Sequence, residues 1–376
     1  MRICFVIEYY PPHIGGAEIL FQNLAEGLVK AGHQCDVVTS LLPRTKRLEE
    51  IHGVTVHRVP LPRFADRYWF TFLCLFSAWH IARKADVIHT MTYNGALPAW
   101  VISKIQKKPL VMQALEVLGE QWSSLGLHFF SAHLFKLIED LVFRLHYDAY
   151  SCDSLSTTTS LAKRGIASEK LFLAYPGIDY ELFRHDPANG KETIRRRLGI
   201  KTSTFVYMYF GRPGMTKGVE YLVQAVPRIR KEIPDSRLFL ILSKEPSNKR
   251  RAVMDLIRSL QLKDVVVIEP VPREQLPHYI QASDCVAVPS LTEGFGFTCV
   301  EACTMGKPVV ATNVGSLPEV VFGKYVLVPP RDSEALARGV TRVFRKEYET
   351  SKRNRFPWEE TIKRHINAYE RLTSSI

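Results

Sequence analysis

The chain alternates buried-strand and amphipathic-helix patterns along almost its whole length, and this alternation begins twice. In the first half, the apolar run RICFVI (2–7) is followed by a glycine-containing turn, a helical pattern and the strand pattern QCDVVTS (34–40). A second series begins at FVYMYFG (205–211) and runs through YVLVPP (325–330). Strands that alternate with helices pair in parallel. The pattern therefore predicts an α/β fold with two successive domains, each with its own parallel sheet.

A polar, charged stretch follows KLFLAYPGID (170–179), and a domain boundary fits there. Ligands of open parallel sheets bind at the carboxyl ends of the strands, where the βα loops gather. Two such domains placed face to face would form a cleft between these ends. The candidate loops are then 8–16, 211–218 and 289–298.

Charge and cysteine usage limit the classes of partner. The net charge is +12, and residues 186–376 carry 31 Lys or Arg against 21 Asp or Glu, so the second half favours an anionic ligand. The basic runs are short and no nucleic-acid-binding motif accompanies them, so we expect no nucleic acid. The seven scattered cysteines contain no C-x-x-C pair, which argues against disulfides or zinc and for a reducing compartment.

Two segments of the first half are rich in aromatic and aliphatic residues. YWFTFLCLFSAWHIA (68–82) is too short for a membrane span, and the N-terminus does not have the pattern of a signal peptide. For this segment and for LGLHFFSAHLFKL (125–137) we expect a buried core role. A membrane-surface role, with a lipid-linked acceptor, is the alternative.

The stretch PSLTEGFGFTCVEACTMGKPVVAT (289–312) places two acids around an uncharged loop with two glycines, between a strand and a helix. The glycines let the backbone approach a ligand, and the start of the helix offers free amides that suit a phosphate. Glu301 suits a hydroxyl-bearing group such as ribose, and Glu293 suits other sugar hydroxyls. In the alternative interpretation, Thr298 and Glu301 form a capping box and Glu293 is an exposed loop acid.

The loop in YFGRPGMTKGVEYL (209–222) joins a strand to a helix and carries Arg212 and Lys217 between Gly211 and Gly218. An arginine fork and a mobile lysine suit a diphosphate. The loop is not a Walker A loop, and the chain has no G-x-G-x-x-G, which disfavours nicotinamide or flavin dinucleotides. The alternative is an ordinary βα turn with two solvated cations.

The first loop, EYYPPHIGGAE (8–18), has Gly15 and Gly16 after the first strand. They would let the backbone approach the other end of a ligand, or would serve only a tight helix entry. The chain contains no D-x-D, so a carboxylate-bound Mg²⁺ or Mn²⁺ has no evident site, and we expect no metal.

In this order, the motifs resemble glycosyltransferase family 4, the glycosyl transferases group 1, across nearly the whole chain. YYPPHIGGAE is similar to the family's N-terminal glycine motif, DVIHTM to its D-v-v-H strand, YPGID to its P-x-G-[VI]-D segment and GRPGMTKG to its Gly-Arg…Lys-Gly loop. The long match to the family's E-x7-E motif, at 289–312, is the specific one.

This resemblance implies the GT-B fold, with two Rossmann-like domains whose parallel sheets face each other across a cleft. The terminal helix FPWEETIKRHINAYERL is similar to the family helix that crosses back to the first domain. The implied domains are 1–182 plus 358–376 on the acceptor side and 183–357 on the nucleotide-sugar donor side.

The implied activity is retaining transfer of a glucosyl or mannosyl type of hexose from a nucleotide-diphosphate sugar, such as a UDP- or GDP-hexose, without an obligatory metal or other cofactor. Arg212 and Lys217 would hold the diphosphate, and Glu293 would contact the donor sugar. The implied donor-binding residues are Gly15, Gly16, Gly211, Gly294, Phe295, Gly296, Phe297, Thr298 and Glu301. The acceptor would be a lipid, a glycan or a small molecule.

The acceptor side departs from the family pattern at one position. Where many members have a histidine after the KPLVM strand, this chain has Gln113. Gln113, His89 of DVIHTM and the nearby Glu116 are the acceptor-side candidates.

Other activities remain open. A nucleotide-sugar epimerase or a glycogen-type phosphorylase would use the same fold, and a polyanion-binding protein without enzymatic activity would use the positive charge. The expected location is the cytoplasm, with peripheral contact at the inner membrane face as a further hypothesis.

Overall fold

The chain folds into two compact units. A computed structural model describes residues 1–62, 64, 66–184 and 191–374. Unit 1 is Met1–Gly177 together with Phe356–Ile376, and unit 2 is Ile178–Arg355. The predicted boundaries, after 182 and after 357, lie slightly further along the chain.

Unit 1 is built on an eight-stranded sheet in the order β3-β4-β2-β1-β5-β6-β7-β8. Its strands are β1 (Arg2–Val6), β2 (Gln34–Ser40), β3 (Leu48–Ile51), β4 (Val54–Val59), β5 (Val87–Met91), β6 (Leu110–Ala114), β7 (Ala149–Cys152) and β8 (Leu171–Leu173). All neighbours pair in parallel except β3, which runs antiparallel to β4 at the edge.

Helices cover both faces of this sheet. They are α1 (Gly16–Lys30), α2 (Asp66–Leu73), α3 (Leu75–Ala82), α4 (Ala96–Gln106), α5 (Phe129–Arg144), α6 (Leu155–Lys163) and α14 (Trp358–Thr373). Helices α2 to α6 share one core with the Val6 and Ile88 side of the sheet. The other side carries Phe5 and His89, which contact Phe21 of α1, and α14 packs against α1. The terminal helix therefore belongs to unit 1, as predicted.

Unit 2 has a seven-stranded sheet in the order β11-β10-β9-β12-β13-β14-β15. Its strands are β9 (Phe205–Gly211), β10 (Ser236–Leu242), β11 (Val265–Ile268), β12 (Cys285–Val288), β13 (Val309–Thr312), β14 (Gly323–Val328) and the antiparallel β15 (Glu349–Ser351). Its helices are α7 (Lys191–Arg197), α8 (Val219–Glu232), α9 (Ser247–Ser259), α10 (Leu276–Ala282), α11 (Phe297–Thr304), α12 (Leu317–Val320) and α13 (Ser333–Phe344).

The strand order of unit 2 positions two of the predicted loops. From β9 the chain proceeds outward to β10 and β11, and then returns to pair β12 on the other side of β9. The loops that follow β9 and β12 therefore leave the same end of the sheet on the two sides of its topological switch point. This is the position at which doubly wound sheets bind ligands.

The segment 68–82, for which a buried core role is expected, is not a single helix. It forms α2 and α3, which are separated at Cys74. Its buried positions recur every fourth residue and include Phe70 and Ala78, whereas large side chains such as Phe72 and Phe76 are exposed. The core expectation is therefore right for only one stripe of the segment. Among the described residues, no helix has the length and apolarity required to cross a membrane.

Candidate functional site

The loops after β9 and β12 are in direct backbone contact. The amide of Leu291 donates a hydrogen bond to the carbonyl oxygen of Thr216 at 2.7 Å. Gly218 has φ of 58°, and a Cβ built there would lie 2.1 Å from the carbonyl oxygen of Pro289. Only glycine combines this left-handed backbone with so close an approach. The local sequence therefore fixes the two loops side by side.

This contact brings two predicted donor-binding side chains together. The Nζ of Lys217 donates to both carboxylate oxygens of Glu293 at 2.9 Å. The hydroxyl of Ser290 donates to the same carboxylate at 2.9 Å. The carboxylate is therefore held in one orientation by a cation and a hydroxyl from two neighbouring loops. Since Glu293 is engaged in this way, it is not the solvated loop acid of the alternative interpretation.

The start of the first loop is anchored to the sheet. The buried side chain of Tyr209 donates its hydroxyl proton to the carbonyl oxygen of Arg212 at 3.0 Å. The Arg212 side chain itself is exposed. Gly211, with φ of 144°, lets the chain turn out of β9. The arrangement presents a guanidinium at the strand end while its backbone is fixed.

Helix α11 begins two residues earlier than the capping-box interpretation requires. Its N-cap is Gly296, in a left-handed conformation with φ of 88°, and no side chain caps it. Thr298 lies inside the first turn, and its hydroxyl donates to the Phe210 carbonyl oxygen at 3.4 Å. The capping box is therefore wrong, because the glycine turn starts the helix. The amides of the first turn include those of Phe297 and Thr298, which were predicted to contact a donor.

Glu301 lies on α11 and is almost completely buried, with 2% of its surface exposed. Arg273, which follows β11, donates to its carboxylate at 2.6 Å and stacks on the ring of Phe183 at 5.1 Å. Burial raises the pKa of Glu301, and the Arg273 charge opposes that rise. Sequence reasoning missed Arg273. A buried acid implies a cation nearby, but nothing in the spacing of residues identifies which one.

Residues of the loop after β13 complete the support of Glu293. The amide of Ser316 donates to the Glu293 carbonyl oxygen at 3.1 Å. Gly315 has φ of 52°, and a Cβ there would lie 2.2 Å from the same oxygen. The sequence gives no local sign that this loop belongs to the site, since a lone glycine after a strand is common.

The predicted residues of unit 1 lie in two different settings. Gly15 is the N-cap of α1 in extended backbone, and Gly16 is the first, exposed residue of that helix. His89 and Gln113 lie inside unit 1 with no measurable exposure, whereas Glu116 is partly buried. The roles of these residues toward a donor or an acceptor stay predictions.

His89 and Gln113 belong to a buried polar network that the sequence did not indicate. The Nδ1 of His89 lies 2.6 Å from the hydroxyl of Tyr369, and its ring stacks on His365. Gln113 donates to Asp153 at 2.5 Å, and its carbonyl oxygen lies 3.3 Å from the Nε2 of His365. Burial lowers the pKa of both histidines and raises that of Asp153. The network joins α14 to the sheet through buried hydrogen bonds.

No group of three or more His, Cys, Asp or Glu is arranged to hold a metal ion within residues 1–62, 64, 66–184 and 191–374. All seven cysteines are free thiols and are buried, including Cys299 and Cys303 of α11.

Known families match both units. The family model for Glycosyltransferase Family 4 matches residues 14–182, and the model for Glycosyl transferases group 1 matches residues 190–359. The D-inositol 3-phosphate glycosyltransferase of Corynebacterium urealyticum is 32% identical, over 99% of this chain and 96% of that protein. The chain belongs to glycosyltransferase family 4. It is therefore a transferase, as predicted.

Solved structures show the fold of this transferase. Sucrose-phosphate synthase from Thermosynechococcus elongatus superposes with a TM-score of 0.84 over the whole of both chains at 22% identity. Anabaena HepE in complex with UDP-glucose gives a TM-score of 0.75 over both whole chains at 20% identity. Together with the two parallel-sheet units, these similarities confirm the predicted GT-B fold.

Proposed function

We propose that the protein is a retaining glycosyltransferase that moves a hexose, of glucosyl or mannosyl type, from a nucleotide-diphosphate sugar. The observation that carries this proposal is the contact of Lys217 with Glu293, because it joins a cation and an acid from the two loops at the switch point. The complex of the structurally similar HepE with UDP-glucose supports a nucleotide-sugar donor.

The cations act on the leaving group. Arg212 and Lys217 would bind the diphosphate and stabilise the negative charge that develops as the sugar departs. The free amides at the start of α11 would add to this stabilisation. One preorganised donor of this kind typically contributes roughly 10²–10³ in rate. Since these cations supply positive charge at the diphosphate, we expect the transfer to need no metal ion or other cofactor.

The acids act on hydroxyl groups. Glu293 would accept hydrogen bonds from the donor sugar, and donor binding would release Lys217 toward the diphosphate. Glu301 would accept from the ribose, with Arg273 favouring the ionised form of its carboxylate. The two carboxylates are assigned different roles because their environments differ: Glu293 is partly exposed, whereas Glu301 is buried.

The acceptor would be a lipid, a glycan or a small molecule. The Corynebacterium relative is named a D-inositol 3-phosphate glycosyltransferase. The seven free thiols favour the reducing cytoplasm as the place of action, with a peripheral contact at the inner membrane face for a lipid acceptor.

Calorimetric titration with UDP, GDP, ADP and CDP, with and without EDTA, tests the donor site. We expect one nucleotide to bind and EDTA to change nothing. In Lys217→Met, affinity for the diphosphate should fall by about tenfold or more, because charge-assisted hydrogen bonds contribute most to phosphate binding. The matched control is Lys231→Met, an exposed lysine of α8. The anomeric configuration of the product, read by NMR, tests retention.

Four results would contradict the proposal in whole or in part. The donor site fails if none of the four nucleotides binds, or if Lys217→Met binds as the unmodified protein does. Release of free nucleotide from a nucleotide sugar without any acceptor would favour the epimerase. Product with inverted configuration would remove the retaining assignment alone.

A further inference from the structure

Unit 1 exposes an unusual amount of apolar surface. Of the exposed large apolar side chains in the described part of the chain, all except Leu260 and Phe344 lie in unit 1. Phe76 of α3 is 77% exposed and Phe130 of α5 is 75% exposed. Isolated exposed apolar residues are normal, but an accumulation on one part of a molecule marks an interaction surface.

These side chains lie on adjoining helices of one layer. Helices α2 to α6 share a core on the same face of the sheet, and α4 contacts both α2 and α3. The hydroxyl of Thr71 in α2 donates to the Asn94 carbonyl oxygen, and Tyr93 contacts Trp122, which stacks on Phe135 of α5. The exposed residues of α2, α3, α4 and α5 therefore belong to one surface, here named the α2–α5 surface.

The exposed residues of α5 form a stripe. Phe130, Leu134, Leu137 and Leu141 recur at intervals of four, three and four residues, and each is at least half exposed. The opposite side of α5 is buried, and its acid Glu139 is paired with Arg164. The buried side of α5 packs within unit 1, and the stripe lies outside that packing.

The charges around this surface are positive. The sequence from the start of α2 to the end of α5 (66–144) contains eight Lys or Arg and six Asp or Glu. The acids Glu120, Glu139 and Asp140 are paired with Lys136 or Arg164. Exposed cations lie on α4, at the end of α5 and directly after α3, at Lys104, Arg144 and Lys84.

We infer that the α2–α5 surface docks on a bilayer that contains anionic lipids. Exposed aromatic and aliphatic side chains enter the headgroup boundary, while Lys and Arg at the rim attract acidic headgroups. The conclusion about the acceptor rests on the proposed transferase function. With that function, the acceptor is a lipid or a lipid-linked glycan presented at that bilayer.

A second copy of the chain is the competing occupant. Paired α5 stripes would bury Phe130 to Leu141, but they would leave the exposed side chains of α2 and α3 uncovered. A bilayer covers all of these helices at once, and it matches the positive rim. A symmetric partner would instead place the positive rims near each other.

Co-sedimentation of the full chain with vesicles tests the inference. We expect binding to phosphatidylcholine vesicles that contain phosphatidylglycerol, weaker binding to phosphatidylcholine alone, and loss of binding at high salt. The variants F130S/L134S and F72S/F76S should each bind at least about tenfold more weakly, because apolar area no longer enters the bilayer. The matched control, L260S/F344S, removes the two exposed apolar residues of unit 2 and should bind normally.

Two further measurements separate membrane docking from self-association and from loss of the donor site. Light scattering measures self-association, and calorimetry with the nucleotide measures the donor site in the same variants. The inference is overturned if the protein does not bind vesicles, or if the variants bind them as well as the unmodified protein does. It is also overturned if the protein forms a dimer that only F130S/L134S dissociates. If vesicles bind but no nucleotide does, the proposed transferase function fails while the docking surface stands.

Discussion

The carboxylate of Glu301 lies inside unit 2, where a charge is costly unless it is paired. Its partner Arg273 comes from the segment after β11 and is itself held against Phe183. Burial raises the pKa of Glu301, and Arg273 limits this rise. An ionised carboxylate accepts hydrogen bonds from hydroxyls, whereas a protonated one donates. Arg273 is therefore a positioning residue for ribose recognition, if Glu301 has the proposed role.

We predict that Arg273→Ala weakens nucleotide binding by roughly ten- to a hundredfold, the range for a lost charge-assisted interaction. Without the arginine, the pKa of Glu301 rises further, so the carboxylate protonates at higher pH. The loss of affinity on acidification should consequently begin at higher pH in Arg273→Ala. Calorimetric titrations with the nucleotide across a pH series measure this shift.

Arg273→Lys and Glu301→Gln serve as controls. The lysine keeps the positive charge and should restore part of the affinity, whereas the glutamine does not titrate and should flatten the acidic limb. Equal pH profiles for Arg273→Ala and the unmodified protein would show that Arg273 acts only as a packing residue.

Residues of the candidate site could be predicted from sequence where they share a loop motif. Lys217 and Glu293 were identified because each adjoins glycines after a buried strand, and the structure brings them together. Arg273 and Ser316 could not be found in this way. Their contacts depend on how separate loops meet in space, and neither carries a local signal.

At the scale of elements, the strands with continuous apolar runs could be predicted. The two antiparallel edge strands, β3 and β15, were missed because their side chains are mostly exposed and show no strand pattern. The break at Cys74 was missed for a related reason. An uninterrupted apolar segment does not show which of its residues face the sheet and which remain exposed.

The βα turn at Gly218 allows a prediction about the stability of unit 2 and the contact between its two loops. In Gly218→Ala, a side chain must adopt φ of 58° and would meet the Pro289 carbonyl oxygen. We expect unit 2 to lose about 2 kcal/mol or more of unfolding free energy, from left-handed strain and backbone displacement. Nucleotide affinity should fall as well, since the two loops separate. Scanning calorimetry and nucleotide titration measure the two effects.

Gly214→Ala is the matched control in the same loop. A Cβ at Gly214 would have Lys217 Cγ as its neighbour at 3.6 Å, an ordinary contact. This variant should keep both stability and nucleotide affinity. If both variants behaved alike, the left-handed turn would not be what fixes the two loops.

At the scale of the whole molecule, the distribution of tryptophan allows one unit to be observed separately. The five tryptophans, Trp69, Trp79, Trp100, Trp122 and Trp358, all lie in unit 1. Their fluorescence therefore reports the unfolding of unit 1. The buried network around His89 and His365 lies in the same unit, and it joins the returning C-terminal helix to the sheet.

This network should make the stability of unit 1 depend on pH. Burial lowers the pKa of His365 to about 4 and that of His89 well below its usual value. An unfolded chain protonates these rings near pH 6.5, so between pH 6.5 and 4 it binds protons that the folded unit does not. The free energy of unfolding therefore falls as the pH falls through this window, by up to about 3 kcal/mol for His365.

Asp153 acts in the opposite direction. Burial raises its pKa, so the folded unit gains a proton on acidification before the unfolded chain does. The effect of His365 is therefore measured as the change of the unfolding free energy with pH in two proteins, and not as the unfolding free energy at one pH. We predict that His365→Gln, which cannot titrate, loses less unfolding free energy between pH 6.5 and 4 than the unmodified protein. Urea unfolding followed by tryptophan fluorescence measures both slopes.

His133→Gln, a change of an exposed histidine on α5, should keep the slope of the unmodified protein. If His365→Gln showed that same slope, His365 would take up its proton equally in the folded and unfolded states. The ring would then be accessible to water, and the contacts of His365 would not make unit 1 sensitive to acid. A reduced slope would mean instead that folding keeps His365 neutral, and that acid loosens the C-terminal helix at this point first.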